Sequence, residues 1–484
     1  MIRDIFVYLL AVAIAYKIIK KPIFGFYCSI FFLPFGKFAL FNFGNNGFLY
    51  IYFIVILTFL SELLKKMISN RKVPNIFLDT KYLIVISLLI YCVFSIFLSY
   101  KIPFAIYKGE IPYLRSIKQI MLFSFAILFY CQVIYYVEDY NVLKKIFKIY
   151  INAYVFLVFI CIIEIFNYCF TNPVTTFLFN FWHNSSTGSG VFDLFIPVLI
   201  ERGAFPRLRG LLSEPSVLGM YVVISFFFIL LIRNTYKSYS LKVKILPYLL
   251  ILILIFSFSR SSQIIFFIGL FILFIFKFNL YQKINRLILA TFFILLVLPF
   301  FISPVRQSIS EIEKLKGSDN SKIVRNINMM TSINVFKNNW LFGVGMGNFG
   351  FYYSDNVDKN VNLPYEILAT IEPQNMRWPV TNNFATRILA ELGLVGFLLF
   401  LAFYFYVFSI VFRMSANKKY KPFGIYLLII FILVVCFNFT NESFQFFIYW
   451  FFLGLIVAIY RIIKKGQINL YENFDAEQIR CTNK

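Results

Sequence analysis

The sequence is poor in charge, in histidine and in paired cysteines, and each shortage argues against a class of protein. Only 14% of the 484 residues are charged, whereas a soluble domain has about 25%. The single histidine, His183, removes His-rich metal chemistry. The 7 cysteines are scattered without CxxC spacing, so they suggest neither a zinc site nor a disulfide framework.

Apolar residues are what the chain has in abundance. They make up 60% of it, and they recur in runs near the ~20 residues that span a bilayer. The runs fall at 4–19, 22–40, 47–64, 82–99, 117–136, 145–168, 211–232, 244–258, 261–277, 285–303, 383–412, 421–440 and 443–463. We therefore expect an all-α, polytopic integral membrane protein with about 12–13 transmembrane helices. The first run lacks a small-residue cleavage site, so we expect it to be retained as a span.

The formal net charge of +24 follows the membrane topology and does not indicate nucleic acid. Basic residues concentrate in alternate connections, at 17–21, 65–81, 144–148, 233–244, 277–286, 413–421 and 461–465. The positive-inside rule makes these connections cytoplasmic. The C-terminus is then inside, and the N-terminus is outside if all the runs span. The intervening segments, with 207–209, 259–262 and 304–382 among them, lie on the outer face.

These boundaries divide the chain into five regions. They are N-terminal transmembrane helices at 1–168, central transmembrane helices at 169–303, a large periplasmic loop at 304–382, C-terminal transmembrane helices at 383–463 and a cytoplasmic tail at 464–484. We expect short amphipathic helices in the loop, at 304–317 and at 322–340. The second would place Ile323, Ile327, Met330 and Phe336 on one stripe.

A glycine-rich stretch, LFGVGMGNF at 341–349, follows the second of these helices. A nucleotide-binding loop would need a preceding strand and a following lysine, and the sequence offers neither. We expect instead a tight turn that packs against the membrane face.

Two arginines and a glutamate stand at the edge of one apolar run, in RLRGLLSEPSVLGMY at 207–221. Ser213 can cap the following helix, with Glu214 in its first turn, where a carboxylate is favourable. Glu214 is thus either a simple complement to the helix dipole or a functional acid. Arg207 and Arg209 either snorkel to the membrane interface or bind an anion.

Further charges lie at membrane depth. Arg260 occupies a short serine-rich turn between two runs, where it needs an anionic partner such as a carboxylate or a phosphate. Arg387 and Glu391 are four residues apart on one helix face, so they form either a structural ion pair or a polar wall of an aqueous cavity. Asn438, Asn441 and Glu442 add a polar cluster on the outer face, which could also be an ordinary hairpin turn.

The ordered set of RLRGLLSEPSVLGMY, FSFSRSSQ, the stretch from Arg325 to the glycine-rich turn, and NNFATRILAELGLVGFLLF resembles the bacterial O-antigen ligase and polymerase superfamily. The resemblance covers roughly 200–400. It implies an inner-membrane glycosyltransferase that uses undecaprenyl-diphosphate-linked glycans at the periplasmic face, without metal or cofactor. It also implies that Arg209, Arg260 and the loop arginine Arg325 bind the diphosphate, with Arg207 and Arg387 as further candidates.

One position departs from the resemblance. The ligases carry a His-Asn pair just before the helix at 383–412, and here the pair is Asn382–Asn383. Asparagine cannot act as a general base at neutral pH, which favours the repeat-unit polymerases. Glu214 and Glu391 are then the candidate bases, and Asn383 is a further candidate catalytic residue.

Several alternatives remain open at this point. An O-antigen ligase or a protein-glycosylating oligosaccharyltransferase would use the same lipid-linked donor. A flippase or transporter would need internal cations, but it would also show internal repeats. Polyprenyl-monophosphate sugar transferases carry acids in their first outer loop, and 41–47 holds none. A pore or structural protein is a further alternative. For a polymerase we expect membrane lipids, a donor and an acceptor glycan, a flippase and a chain-length regulator as partners, and no nucleic acid.

Overall fold

Long apolar helices make up most of the described chain. The structure is a computed structural model that describes residues 2–36, 39–43, 46–69, 80–102, 106–169, 207–212, 214–235, 241–277, 320–359, 363–375 and 378–466. Over these ranges, 7 helices are long and apolar enough to cross a membrane. The chain is a multi-pass membrane protein of the all-α class, and this prediction is confirmed.

The elements follow the predicted apolar runs closely. The N-terminal region contains α1 (Ile2–Lys20), α2 (Pro22–Phe31), strands β1 (Ala39–Phe43) and β2 (Asn46–Leu49), α3 (Tyr50–Ile68), α4 (Thr80–Phe94), the 3-10 helix Ser95–Lys101, α5 (Pro112–Tyr136) and α6 (Tyr140–Cys169). The central region contains α7 (Pro215–Thr235), α8 (Leu241–Phe256) and α9 (Arg260–Lys277). The last region contains α10 (Asn320–Asn338), the 3-10 helix Phe349–Tyr352, α11 (Tyr353–Asn356), α12 (Tyr365–Ile371), α13 (Phe384–Ala416), α14 (Lys421–Asn438) and α15 (Phe447–Lys464).

Some predicted features lie outside the described residues. They are the apolar run at 285–303, the helical piece at 304–317, most of the connection before Arg207 with His183, the capping residue Ser213, and the tail from 467 onward.

The apolar run at 22–40 forms a helix over only its first part, so the prediction of a full span there is wrong. Helix α2 has 10 residues, about 15 Å of length, against a hydrocarbon core of about 30 Å. Pro34 prevents further helix, since the residue before a proline is disfavoured in the α conformation. The chain instead turns into the antiparallel β1–β2 hairpin.

Helices α7 and α15 form the centre of the bundle. In each of them 83% of the most apolar 18-residue stretch is buried inside the protein, whereas in α13 the share is 33%. Helix α13 packs on α14, α5 on α15 and α8 on α7. The outward side chains of α13, such as Leu401, Phe405 and Phe412, are exposed, as a lipid-facing surface requires.

Helix α10 confirms the predicted helix in the long loop, and Ile323 and Met330 of the predicted stripe lie on its exposed side. Ile323 is 37% and Met330 58% exposed, while Val324, Asn328 and Val335 are buried. The buried face contains polar residues because α10 packs against α13 beside a polar cleft. The side of α10 that faces the protein is therefore partly polar, which a pattern of hydrophobicity does not reveal.

The glycine-rich turn packs into a break in α13, which confirms and extends the prediction of a tight turn. The helix is interrupted at Gly393, whose φ is 65°. Four backbone hydrogen bonds replace helical ones, from Val344 N to Ala390 O (3.0 Å), Gly345 N to Glu391 O (2.8 Å), Leu394 N to Trp340 O (2.8 Å) and Val395 N to Leu341 O (3.2 Å). Broken helices are tolerated at membrane depth only where the freed groups find such partners.

Candidate active-site cleft

A polar cleft of about 540 Å³ opens where α7 begins. Its walls come from the first turn of α7, from α10 and α12, from the segment before α13, and from the turn between α14 and α15. The lining residues are Glu214, Ser216, Val217, Val324, Arg325, Asn328, Glu366, Ile367, Thr370, Trp378, Val380, Asn382, Thr440, Asn441, Glu442, Ser443 and Phe446. The long loop, α7 and the turn at 440–446 therefore build one site together.

Three of the predicted arginines gather at this cleft. Arg325 lines it, and the charges of Arg260, Glu214 and Arg325 all act on the guanidinium of Arg207. Partial burial lowers the pKa of Arg207 below its usual value, and the neighbouring positive charges lower it further while Glu214 opposes them. Like charges brought together in this way favour an anion that they can share.

Arg207 is held in place by the end of α8. Its Nη2 donates to the carbonyl of Phe258 at 3.1 Å and its Nε to that of Ser257 at 3.4 Å. Carbonyls at a helix C-terminus lack helical partners, and a basic side chain there satisfies them. The backbone N–H of Leu208 bonds to Phe256 O at 3.1 Å in the same way. The segment that carries Arg207 is thus fixed against the turn that precedes Arg260.

Serines join the start of α9 to the start of α7. Ser259 Oγ and Ser262 Oγ are 2.8 Å apart, and Ser262 Oγ donates to Ser216 O at 3.2 Å. A Cβ at Gly219 would lie 2.4 Å from Ser262 Oγ, so the two helices approach closely. This contact places Arg260, the first residue of α9, beside the cleft.

Arg387 and Glu391 lie apart from these arginines. They form an ion pair with 3.2 Å between Nε and Oε2, and Glu391 is only 3% exposed. Arg387 also donates to Glu442 O at 2.9 Å and to Gln119 Oε1 at 3.2 Å. Neither residue is among those that line the cleft. Of the two alternatives, the geometry shows the structural ion pair.

Part of the sequence around the cleft matches a known family. Residues 245–401 match the family model described as O-antigen ligase. This match places residues 245–401 in the O-antigen ligase and polymerase superfamily. Members of this family are glycosyltransferase-like enzymes that act on lipid-linked glycans. No curated protein sequence matches the chain.

The O-antigen ligase domain contains part of the cleft. It includes Arg260, Arg325 and Trp378, whereas Glu214 before it and Glu442 after it lie outside the matched residues. The site is therefore completed by the flanking helices.

Arg209 is anchored by a hydrogen bond from its backbone N–H. Its N–H and that of Gly210 donate to the carboxylate of Glu164, at 3.2 and 2.7 Å. Glu164 is fully buried in α6, where a carboxylate is costly unless it is hydrogen-bonded. These bonds fix the loop that carries both Arg207 and Arg209. Glu164 was not among the predicted residues, although an acid inside the apolar run at 145–168 is a signal of a functional or structural role.

Asn383 and its neighbour Asn382 have different positions. Asn383 is the N-cap of α13, and its Oδ1 accepts from Ala385 N at 2.9 Å and from Thr386 N at 3.2 Å. Asn382 lines the cleft and has a φ of 58°. The predicted catalytic Asn383 therefore has a structural task, and Asn382 is the residue of the pair that faces the site.

Glu442 connects the turn after α14 to the segment before α13. Its Oε2 accepts from Thr381 Oγ1 at 2.7 Å, from Asn382 N at 3.0 Å and from Thr381 N. Glu442 and Asn441 both line the cleft, so the polar cluster in the turn after α14 forms part of the candidate site.

Trp378 forms an aromatic wall of the cleft, which the sequence analysis did not identify. The guanidinium carbon of Arg115 lies 3.4 Å from the Trp378 ring centroid. Phe351 meets the same ring edge-on at 5.1 Å, and a Cβ at Gly350 would lie 2.4 Å from it. These contacts fix the orientation of an aromatic surface against which a ligand can pack.

Proposed function

We propose that the protein polymerises undecaprenyl-diphosphate-linked oligosaccharide repeat units into a surface polysaccharide, an O-antigen or a capsule. The observation that carries this proposal is the group of Arg207, Arg260 and Arg325 at a polar cleft in a chain with an O-antigen ligase domain. Guanidinium groups bind phosphate oxygens in pairs of parallel hydrogen bonds. A diphosphate at the membrane surface is the anion that such a group fits.

The distribution of charge supports an active site on the outer face of the inner membrane. Helices α7 and α15 begin at the cleft and carry Arg233, Arg461 and Lys464 in their last turns. The positive-inside rule assigns those ends to the cytoplasm. The cleft then faces the periplasm, where lipid-linked repeat units are joined.

The proposed reaction is an inverting transfer between two lipid-linked glycans. A sugar hydroxyl of the acceptor attacks the anomeric carbon of the donor, and the bond from that carbon to the diphosphate breaks. Negative charge increases on the leaving diphosphate, so cations fixed beforehand at this position stabilise the transition state more than the ground state. Because arginines supply this charge, the reaction needs no metal.

The surroundings of the arginines fit the two other parts of the substrate. Trp378 offers a flat apolar surface for a sugar ring. A smaller apolar pocket of about 90 Å³ shares Val217, Ser443 and Phe446 with the cleft, and Phe32, Leu212 and Tyr221 also line it. We assign the first isoprene units of the lipid to this pocket.

The alternative is transfer to a different acceptor, as in an O-antigen ligase or a protein-glycosylating oligosaccharyltransferase. Asn382, which has no basic nitrogen, favours the polymerase, because ligases resembling this chain carry histidine at that place. The decisive experiment incubates the purified protein with lipid-linked repeat unit alone. A ladder of products supports the polymerase, whereas transfer only after addition of lipid A-core or of a protein acceptor supports the alternative.

A further inference from the structure

We infer that Glu442 is the general base that activates the acceptor hydroxyl, an inference that rests on the proposed glycosyl transfer. The sequence suggested Glu214 and Glu391 for this role. Geometry separates these acids, because a base must reach the acceptor and be held in one orientation.

Glu442 is held by one oxygen while its side chain lines the cleft. All three hydrogen bonds from Thr381 and Asn382 end on Oε2, and Glu442 is a lining residue of the cleft. We therefore assign Oε1 to the ligand. The carbonyl of Glu442 accepts from Arg387 Nη1 at 2.9 Å, which fixes the backbone as well. A carboxylate with one anchored oxygen and one oxygen toward the substrate has the geometry of a base.

The other acids fit this role less well. Glu391 is buried against Arg387 outside the cleft. Glu366 lies exposed on the short helix α12. Glu214 is exposed at the mouth beside Arg207, and its carboxylate accepts a hydrogen bond from Ser216. Glu214 lies beside the arginines assigned to the diphosphate, whereas Glu442 lies in the turn between α14 and α15.

Charged groups surround Glu442 from two sides. Arg387, Arg115 and Glu391 act on it from the helix bundle. Glu214, Arg325 and Glu366 share the cleft with it. Any pH dependence that depends on Glu442 therefore has to be compared with variants of the other acids.

In the proposed step, the acceptor oxygen forms a bond to the anomeric carbon, and its proton passes to Glu442 Oε1. The bond between the anomeric carbon and the diphosphate oxygen breaks, and its electron pair leaves with undecaprenyl diphosphate. The protonated carboxyl then returns its proton to solvent.

Glu442→Gln separates this role from a structural one. The amide oxygen can still accept the bonds from Thr381 and Asn382, but the amide cannot take up a proton. We expect ladder formation from lipid-linked repeat unit to fall by about 10²–10⁴-fold, the range typical of general bases. The melting temperature of the purified protein should be unchanged, and so should its retention of the lipid-linked donor. The decline of the wild-type rate toward acidic pH should disappear from the residual activity.

Glu366→Gln is the matched control, since it removes an exposed cleft carboxylate in the same manner. Glu214→Gln tests the rival base. A Glu442→Gln variant within about threefold of wild type would overturn the inference, and so would a larger loss in Glu214→Gln with loss of the acidic decline there. If Glu442→Gln lowers the melting temperature, Glu442→Asp distinguishes the two roles. If Glu442 is the base, the residual activity of Glu442→Asp keeps the decline toward acidic pH and that of Glu442→Gln loses it. If Glu442 is only structural, both variants have the same pH profile.

Failure of the proposed function gives a different result. If the wild-type protein makes no ladder from repeat unit alone but transfers to lipid A-core, the polymerase is excluded. The same variants are then compared for transfer to lipid A-core, and a loss confined to Glu442→Gln supports the base with that acceptor.

Discussion

Arginines occupy two regions of this protein, and their surroundings differ. Below the cleft, Arg387 is bound to Glu391, Glu442 and Gln119, and it lies over the Phe444 ring. At the cleft, Arg325 is exposed, and Arg207, although it donates to the carbonyls of Ser257 and Phe258, has the charges of Arg260 and Arg325 beside it. The charge of Arg387 is therefore balanced by a buried carboxylate. The cleft brings like charges together, which an anion bound between them would stabilise.

The largest combined loss of stability and activity is expected at the glycine-rich turn in the break of α13, because both regions pack against the segments that this turn holds in place. In Gly343→Ala the new Cβ would lie 2.5 Å from the Glu391 carbonyl, and φ is +72°. We expect a loss on the order of 3 kcal/mol or more, measured as a lower melting temperature and a poor yield of folded protein. Gly466→Ala is the control, because φ there is +70° with nothing within 4 Å. Equal effects of both variants would contradict the packing argument.

The next effect concerns the buried pair. Arg387→Ala leaves Glu391 buried without its partner, and breaking such a pair costs about 3–5 kcal/mol. Thermal unfolding in detergent should show this loss. Glu391→Gln, which removes the charge but keeps a hydrogen-bonding group, should cost less. If the Arg387→Ala protein keeps the stability of the wild type but loses activity, Arg387 binds the substrate.

Substitution of the cleft arginines should lower activity and leave stability unchanged. Arg325→Ala and Arg260→Ala are expected to lower the rate of ladder formation by about 10²–10³-fold, or about 2.7–4 kcal/mol, with an unchanged melting temperature. Arg207→Lys keeps the charge but loses the paired donors, so an intermediate rate is expected. Lys337, in the last turn of α10, provides a control in Lys337→Ala. Long products from both alanine variants would exclude these residues as the diphosphate site.

The smallest effect tests Asn383, which borders both regions. As the N-cap of α13 it should contribute about 0.5–2 kcal/mol, so Asn383→Ala should lower the melting temperature slightly. Asn383→Asp preserves the capping oxygen and should restore stability and activity together. Activity that stays lost in a stable Asn383→Asp protein would indicate the catalytic role that the sequence suggested.

The sequence predicted the membrane class and most helices because apolar runs of bilayer length have few other solutions. It failed at 22–40, where Pro34 ends the helix early, since hydrophobicity does not say where a helix must end. It also did not reveal that Asn328 lies on the buried side of α10, since hydrophobicity does not say what a helix packs against.

The candidate site was predicted in part. Arg260 and Glu214 stood out as charges beside apolar runs, and Arg325 was identified from the family resemblance. The structure brings the three residues to one cleft. Trp378 gave no signal, because an aromatic residue is ordinary in a chain that is 21% aromatic. Glu442 was visible only as part of a polar turn, since its contacts to 381–382 join segments that are far apart in sequence.

The break at Gly393 also sets an order for biogenesis. Helix α13 cannot complete its own hydrogen bonding, because Trp340 and Leu341 supply two of its acceptors. Those residues precede α13 in the chain, so the segment that holds them is synthesised before the helix that needs it. An unsatisfied backbone in hydrocarbon costs several kcal/mol per group. Without that segment in place, the N–H groups of Leu394 and Val395 would lose these partners.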